Sequence, residues 1–181
     1  MILSVPVISK KANSCLDLVL TVSEDMTVVD SSLAKFLRSE DTVEALFLAW
    51  QSAISPMFEY PFYRAIGLNK ASASWLRAQS LGIVGDSIGL AAAILLNHQH
   101  FKPLHNAERI FATGALSMDT GDIVVREVAD LESKLAAIEK QPQLGEEAIV
   151  LPHKTIITSI RPGQRQLWLA GPKLTDIQRV N

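Results

Sequence analysis

Ser87 stands in the pentapeptide Gly85-Asp86-Ser87-Ile88-Gly89, between an apolar run at residues 81–84 and a stretch of Ala, Ile and Leu at residues 90–96. A run of that second composition favours helix, so the serine falls at a turn at or just before a helix N-terminus. The first backbone N–H groups of a helix have no partner within it, and the helix dipole favours negative charge nearby. The two glycines permit close backbone approach and unusual dihedral angles. These conditions suit a serine oxygen that attacks a carbonyl while backbone N–H groups hold the oxyanion. The plainer use of the same residue is as an ordinary helix cap.

Other residues able to do chemistry are few. His98, His100 and His105 fall where the helix gives out before Pro103, with no carboxylate cluster alongside, and read as dipole-favoured surface residues rather than metal ligands. No metal and no cofactor is expected. Cys15 is the single cysteine, which rules out an internal disulfide and a cysteine-based zinc site and fits a reducing compartment. No Gly-x-x-x-x-Gly-Lys-Ser/Thr loop occurs, so the chain carries no recognisable site of its own for ATP phosphates.

The elements that must position Ser87 can be read from patterning. Residues 15–22 and 27–29 read as a hairpin, residues 31–38 as a helical segment, and Ser39-Glu40-Asp41 as the cap of a stronger helix over 42–54. The stripe Val43, Leu46, Phe47 and Trp50 on that helix is expected in the core. Residues 57–68, with Phe58, Tyr60, Phe62 and Tyr63 around Pro61, read as a structured loop or short helix covering the core edge. Residues 71–84 are expected as one strand or two delivering the chain to Ser87.

After the Ala-rich helix, residues 109–113 predict a strand and residues 114–125 a hairpin turning at Thr120-Gly121-Asp122. Residues 127–140 are the clearest amphipathic helix, with Val128, Leu131, Leu135 and Ile138 at three- and four-residue steps and Lys134 beside that stripe. Strands are expected at 148–151, 154–160 and 166–170, with a tail helix at 174–180. Strands and helices alternate without a strict βαβ rhythm, so the fold class is α+β, or mixed α/β.

The 181 residues predict a single domain, 1–181. Hydrophobic residues make up 48%, charged residues 20%, and the net charge is −2, giving no electrostatic reason to expect nucleic acid. The apolar first eight residues are broken by Pro6 and are too short to span a membrane. The expected location is the cytoplasm.

Four segments, in order, resemble the proteolytic domain of Lon-type proteases. Val84-Gly85-Asp86-Ser87 looks like the archaeal Gly-Asp-Ser form of the nucleophile motif. Ala112-Thr113-Gly114-Ala115-Leu116 with Gly121-Asp122-Ile123-Val124 is similar to the family's Thr-Gly-x-Leu hairpin and its return. Residues 131–137 resemble the helix carrying the catalytic lysine, and Ala148-Ile149-Val150-Leu151-Pro152 the strand after it. The resemblance covers residues 80–152 and implies the ribosomal S5 domain 2-like superfold.

It further implies Ser87 as nucleophile and Lys134 as general base, with Gly85, Asp86 and Thr113 supporting the site. A free lysine, with a pKa of about 10.4, is no base at neutral pH, but burial disfavours the ammonium and can bring the value down by several units. Lys134 then takes the Ser87 proton while Thr113 orients the amine. The chain departs from the pattern in three respects: the usual Gly-Gly pair before the lysine helix is replaced by Glu127-Val128-Ala129-Asp130, whose acids favour a charged lysine, the hairpin holds the extra residues Met118-Asp119-Thr120, and the approach to Ser87 is shorter than usual. The plain alternative for Lys134 is a surface cation pairing with Asp130 one helical turn away.

The expected activity is therefore that of a stand-alone, ATP-independent serine endopeptidase cutting peptides or unfolded protein. The resemblance also implies a homo-oligomer, and a separate partner chain could deliver substrate. Two other readings stand beside it. One is an inactive Lon-like scaffold or oligomerisation domain. The other is an α/β-hydrolase in which Ser87, Asp119 or Asp122, and His153 form a triad.

Overall fold

The computed structural model describes residues 1–53, 58–59, 62–156 and 164–181. Its strands are β1 (Ile2–Val7), β2 (Ser14–Ser23), β3 (Phe58–Glu59), β4 (Phe62–Leu68), β5 (Arg109–Ala112), β6 (Ala115–Asp119), β7 (Asp122–Arg126), β8 (Glu147–Pro152), β9 (Gln166–Ala170) and β10 (Ile177–Arg179). The α-helices are α1 (Ser31–Ala34), α2 (Glu40–Gln51), α3 (Lys70–Ala78), α4 (Gly89–Asn97) and α5 (Leu131–Glu139). The class is α+β. One eight-stranded sheet runs β10-β9-β8-β5-β1-β2-β4-β3, and β6 and β7 form a separate hairpin. The central strands β1, β5, β8 and β9 are mutually parallel, while the flanking pairs are antiparallel.

The two faces of the sheet are sorted by the two-residue period of a strand. Leu3, Val5, Ile110, Ala112, Ala148 and Val150 belong to the large core shared with α2 and α4. Phe111, Ile149, Leu151 and Leu167 point the other way, to a smaller cluster with Ile138 and the half-buried Leu131 and Leu135 of α5. Every residue of α4 is buried, which its unbroken Gly-Leu-Ala-Ala-Ala-Ile-Leu-Leu run permits because no polar side chain needs a solvent face. Asn97 at its end is buried too, its amide donating to the Ala93 carbonyl at 2.9 Å.

Several expectations need correction. Residues 70–78 form helix α3, not a strand: the Ala/Ser alternation mimics a period of two, but Asn69 caps the helix by accepting from the Ser72 N–H, and Ser72, Ala73 and Leu76 are buried at helical spacing. β2 pairs with β1 and β4 rather than with residues 27–29, of which Val29 bridges to Ile66. Residues 58–59 and 62–68 are strands rather than a loop or helix, and Tyr60 and Pro61 lie outside the described residues. The tail forms β10, an edge strand on β9, instead of a helix. Residues 154–156 are not strand, and 157–160 lie outside the described residues. On α2, Leu46 is core, but Val43 and Phe47 stand half out of the protein. Among the described residues no helix is long and apolar enough to cross a membrane.

Candidate functional site

The turn that carries Ser87 is tied down on two sides. Before it, the Ile83 N–H donates to the Phe36 carbonyl at 2.7 Å and the Ile83 carbonyl accepts from Arg38 N–H at 3.0 Å. Gly85 follows, with its N–H donating to Ser39 Oγ at 3.1 Å and its carbonyl accepting from Thr42 Oγ1 at 2.7 Å. Ser39 is also the N-cap of α2, so one cap residue ends a helix and anchors the serine turn. Gly85 has φ +81°, a left-handed conformation that favours glycine.

After the serine, a second pair of backbone bonds closes onto the residues following β5. Gly114 N–H donates to the Ser87 carbonyl at 3.1 Å, and Leu90 N–H donates to the Gly114 carbonyl at 2.9 Å. Position 114 requires glycine because a Cβ there would lie 2.8 Å from Leu90 Cδ2 and 2.9 Å from Leu90 Cβ. Ser87 itself is half-buried and sits two residues before the first residue of α4. No side chain caps that helix, so the Ser87 hydroxyl is not engaged as an ordinary cap. Among the described residues the N–H groups of Ser87 and Ile88 meet no backbone acceptor, the condition in which they can hold an oxyanion.

Thr113, next to that clamp, is fully buried where β5 ends, its N–H donating to the Val150 carbonyl of β8 at 3.3 Å. Among the described residues its hydroxyl has no hydrogen-bond partner. A buried hydroxyl without a partner is costly, and such groups in native proteins call for an explanation.

Lys134 lies in the first turn of α5, its N–H donating to the Asp130 carbonyl at 3.0 Å. Only 8% of the residue is exposed, so it is not the surface cation of the plain alternative. Burial brings its pKa below the ordinary lysine value, while the carboxylates of Asp130 and Asp86 act in the opposite sense. A helix N-terminus also disfavours a cation. Asp86, the residue before Ser87, is one of the two carboxylates that favour the Lys134 ammonium. Asp130 itself has φ +56°, an uncommon conformation for a non-glycine residue that aspartate tolerates better than most.

The candidate triad is not brought together. Asp119 and Asp122 face each other at the far end of the β6–β7 hairpin, and Asp119 pairs with Arg126 at 3.7 Å. The His153 ring packs instead beside Gly171, which Val125 flanks at the other end of β7. Among the described residues its buried Nδ1 has no partner, whereas a triad needs an acid on that side of the imidazole. The His98 and His105 rings lie tilted against each other with centroids 5.1 Å apart, and burial, with His105 beside it, lowers the His98 pKa. Among the described residues no group of three or more His, Cys, Asp or Glu could hold a metal ion.

The contribution of Ser39 and Thr42 to the site is absent from the sequence reading. Only the Ser39 cap was legible there, since nothing local says that the same hydroxyl reaches Gly85, 46 residues away. No protein-family model matches this chain, and no curated protein matches it.

Proposed function

We propose that the chain is a Lon-type serine endopeptidase of the ribosomal S5 domain 2-like superfold, working without ATP through a Ser87–Lys134 dyad. The observation that carries this reading is Lys134, buried in α5 with its pKa lowered by that burial. Two further features support it: the unpartnered Thr113 hydroxyl, and the left-handed Asp130 where the resembling family carries glycines.

In this mechanism neutral Lys134 Nζ takes the Ser87 hydroxyl proton as Oγ bonds to the scissile carbonyl carbon. The carbonyl oxygen becomes an oxyanion held by the Ser87 and Ile88 N–H groups. Collapse breaks the C–N bond, and the leaving amine takes the proton from the Lys134 ammonium. Water then attacks the acyl-enzyme, giving a proton to Lys134, and the acid product leaves as Ser87 is reprotonated. Thr113 Oγ1, without a partner among the described residues, is left to accept from the Lys134 amine in the reacting complex. Gly85 and Asp86 shape the turn.

The substrate class is a peptide or unfolded polypeptide, delivered in the cytoplasm directly or by a partner chain, and the working form is a homo-oligomer. A fluorophosphonate probe tests the chemistry: stoichiometric labelling at Ser87 that disappears in Ser87→Ala is expected. Complete inertness would move the chain to the second reading, an inactive scaffold, which is favoured by the two carboxylates that oppose a neutral Lys134.

A further inference from the structure

The chain leaves α4 through two short 3₁₀ turns, His98–His100 and Lys102–Leu104, and the buried Phe101 and Leu104 pin this segment to the core. His98 is the C-cap of α4 and His105 directly follows the second turn. Their rings are thereby held against each other, with centroids 5.1 Å apart and planes tilted by 42°. This is the end of α4 opposite the serine turn.

Each imidazole commits one nitrogen to a backbone carbonyl. His105 Nε2 lies 3.0 Å from the His98 carbonyl oxygen, to which a ring nitrogen can only donate. His98 bonds the Leu104 backbone, and because its buried Nε2 has no partner among the described residues, the nitrogen that does so is Nδ1. The two bonds fix the tautomers of the neutral rings and leave a lone pair on His98 Nε2 and on His105 Nδ1. Burial, with His105 and the chain's amino group beside it, holds the His98 pKa below the ordinary histidine value, so the ring is neutral at pH 7. A second ring nitrogen donating to a backbone carbonyl is the arrangement that orients metal-binding histidines. A buried ring nitrogen without a partner likewise calls for an explanation.

The spacing of the rings agrees with the same use. Two imidazoles on one tetrahedral ion, with metal–nitrogen bonds of ~2.0–2.1 Å, have centroids about 5 Å apart. We propose that His98 Nε2 and His105 Nδ1 bind a divalent ion of the zinc class, with solvent completing its coordination. Imidazole suits zinc, copper and nickel, whereas magnesium and calcium take oxygen ligands. His105 is exposed, so the ion enters from solvent. Neither Ser87 nor Lys134 takes part, and the site is independent of the dyad.

The test is calorimetric titration of the full-length chain with zinc chloride at pH 7.5. One zinc per chain is expected, bound about tenfold or more weaker by His98→Ala and by His105→Ala. Binding should fade below about pH 6 as the imidazoles take protons. His100→Ala and His153→Ala, which change the other two histidines of the chain, should leave it unchanged. Melting curves without zinc confirm that each variant folds, and His105→Ala, at the exposed ring, carries the test alone if His98→Ala does not fold. With zinc, NMR should show the imidazoles of His98 and His105 ceasing to titrate while those of His100 and His153 continue. No binding at millimolar zinc, full affinity in His105→Ala, or equal weakening by His100→Ala would overturn the proposal.

Discussion

The serine turn and the lysine helix solve the same problem by different means. Ser87 is held by backbone geometry: Ile83 and Gly85 bond to Phe36, Arg38, Ser39 and Thr42 on one side, and Gly114 donates to the Ser87 carbonyl on the other. Lys134 is held by environment, through burial at a helix start that works against two carboxylates. Position is robust where many hydrogen bonds share it. A tuned pKa is a small difference between opposing effects, and single charges can move it.

The largest expected disruption of this contrast is Gly114→Val, which drives a side chain into Leu90 and pulls apart the clamp behind Ser87. Overpacking of this kind costs about 1–3 kcal/mol, and denaturant titration should show at least that loss together with abolished probe labelling. Ser39→Ala should cost about 1–2 kcal/mol, because one change removes the α2 cap and the acceptor of the Gly85 N–H; a chemical melt indistinguishable from wild type would refute the shared anchor.

The lysine side responds in the opposite sense. Because burial lowers the folded-state pKa of Lys134, the charged form destabilises the fold, fully below that folded pKa and less as pH rises toward the unfolded value. Lys134→Met should therefore raise the melting temperature by a few degrees at pH 7, with the gain shrinking toward pH 10, while activity is lost. The smallest effect is Asp86→Asn. Removing a carboxylate that favours the ammonium should lower the Lys134 pKa further, so that the rising limb of the pH–rate profile moves to lower pH. A shift to higher pH would contradict the assigned influence of Asp86.

How legible these two regions were in the sequence follows from the same contrast. The turn before a buried helix was readable from local composition around Ser87, and the lysine beside an apolar stripe from the period of α5. The α+β class was readable from the mixture of periods. What misled was local as well: the Ala/Ser alternation of residues 71–74 copied a strand, although the Asn69 cap and the burial of Leu76 made it helix. The tail became a strand because the edge of β9 was open to pair with Ile177–Arg179, a partner no short window contains. Val43 and Phe47 kept helical spacing without finding a core to fill. The link from Ser39 to Gly85 and the free hydroxyl of Thr113 depend on contacts between distant segments, which periodicity does not encode.

The dyad is put to the test by hydrolysis of a quenched fluorescent unstructured protein by wild type, Ser87→Ala, Lys134→Ala and His153→Ala, each assayed in whatever oligomeric fraction it forms. A working dyad gives cleavage by wild type and His153→Ala, and losses of about 10³-fold or more in both Ser87→Ala and Lys134→Ala. Activity that survives without Lys134, or that vanishes without His153, or that is absent from the wild type, would contradict it.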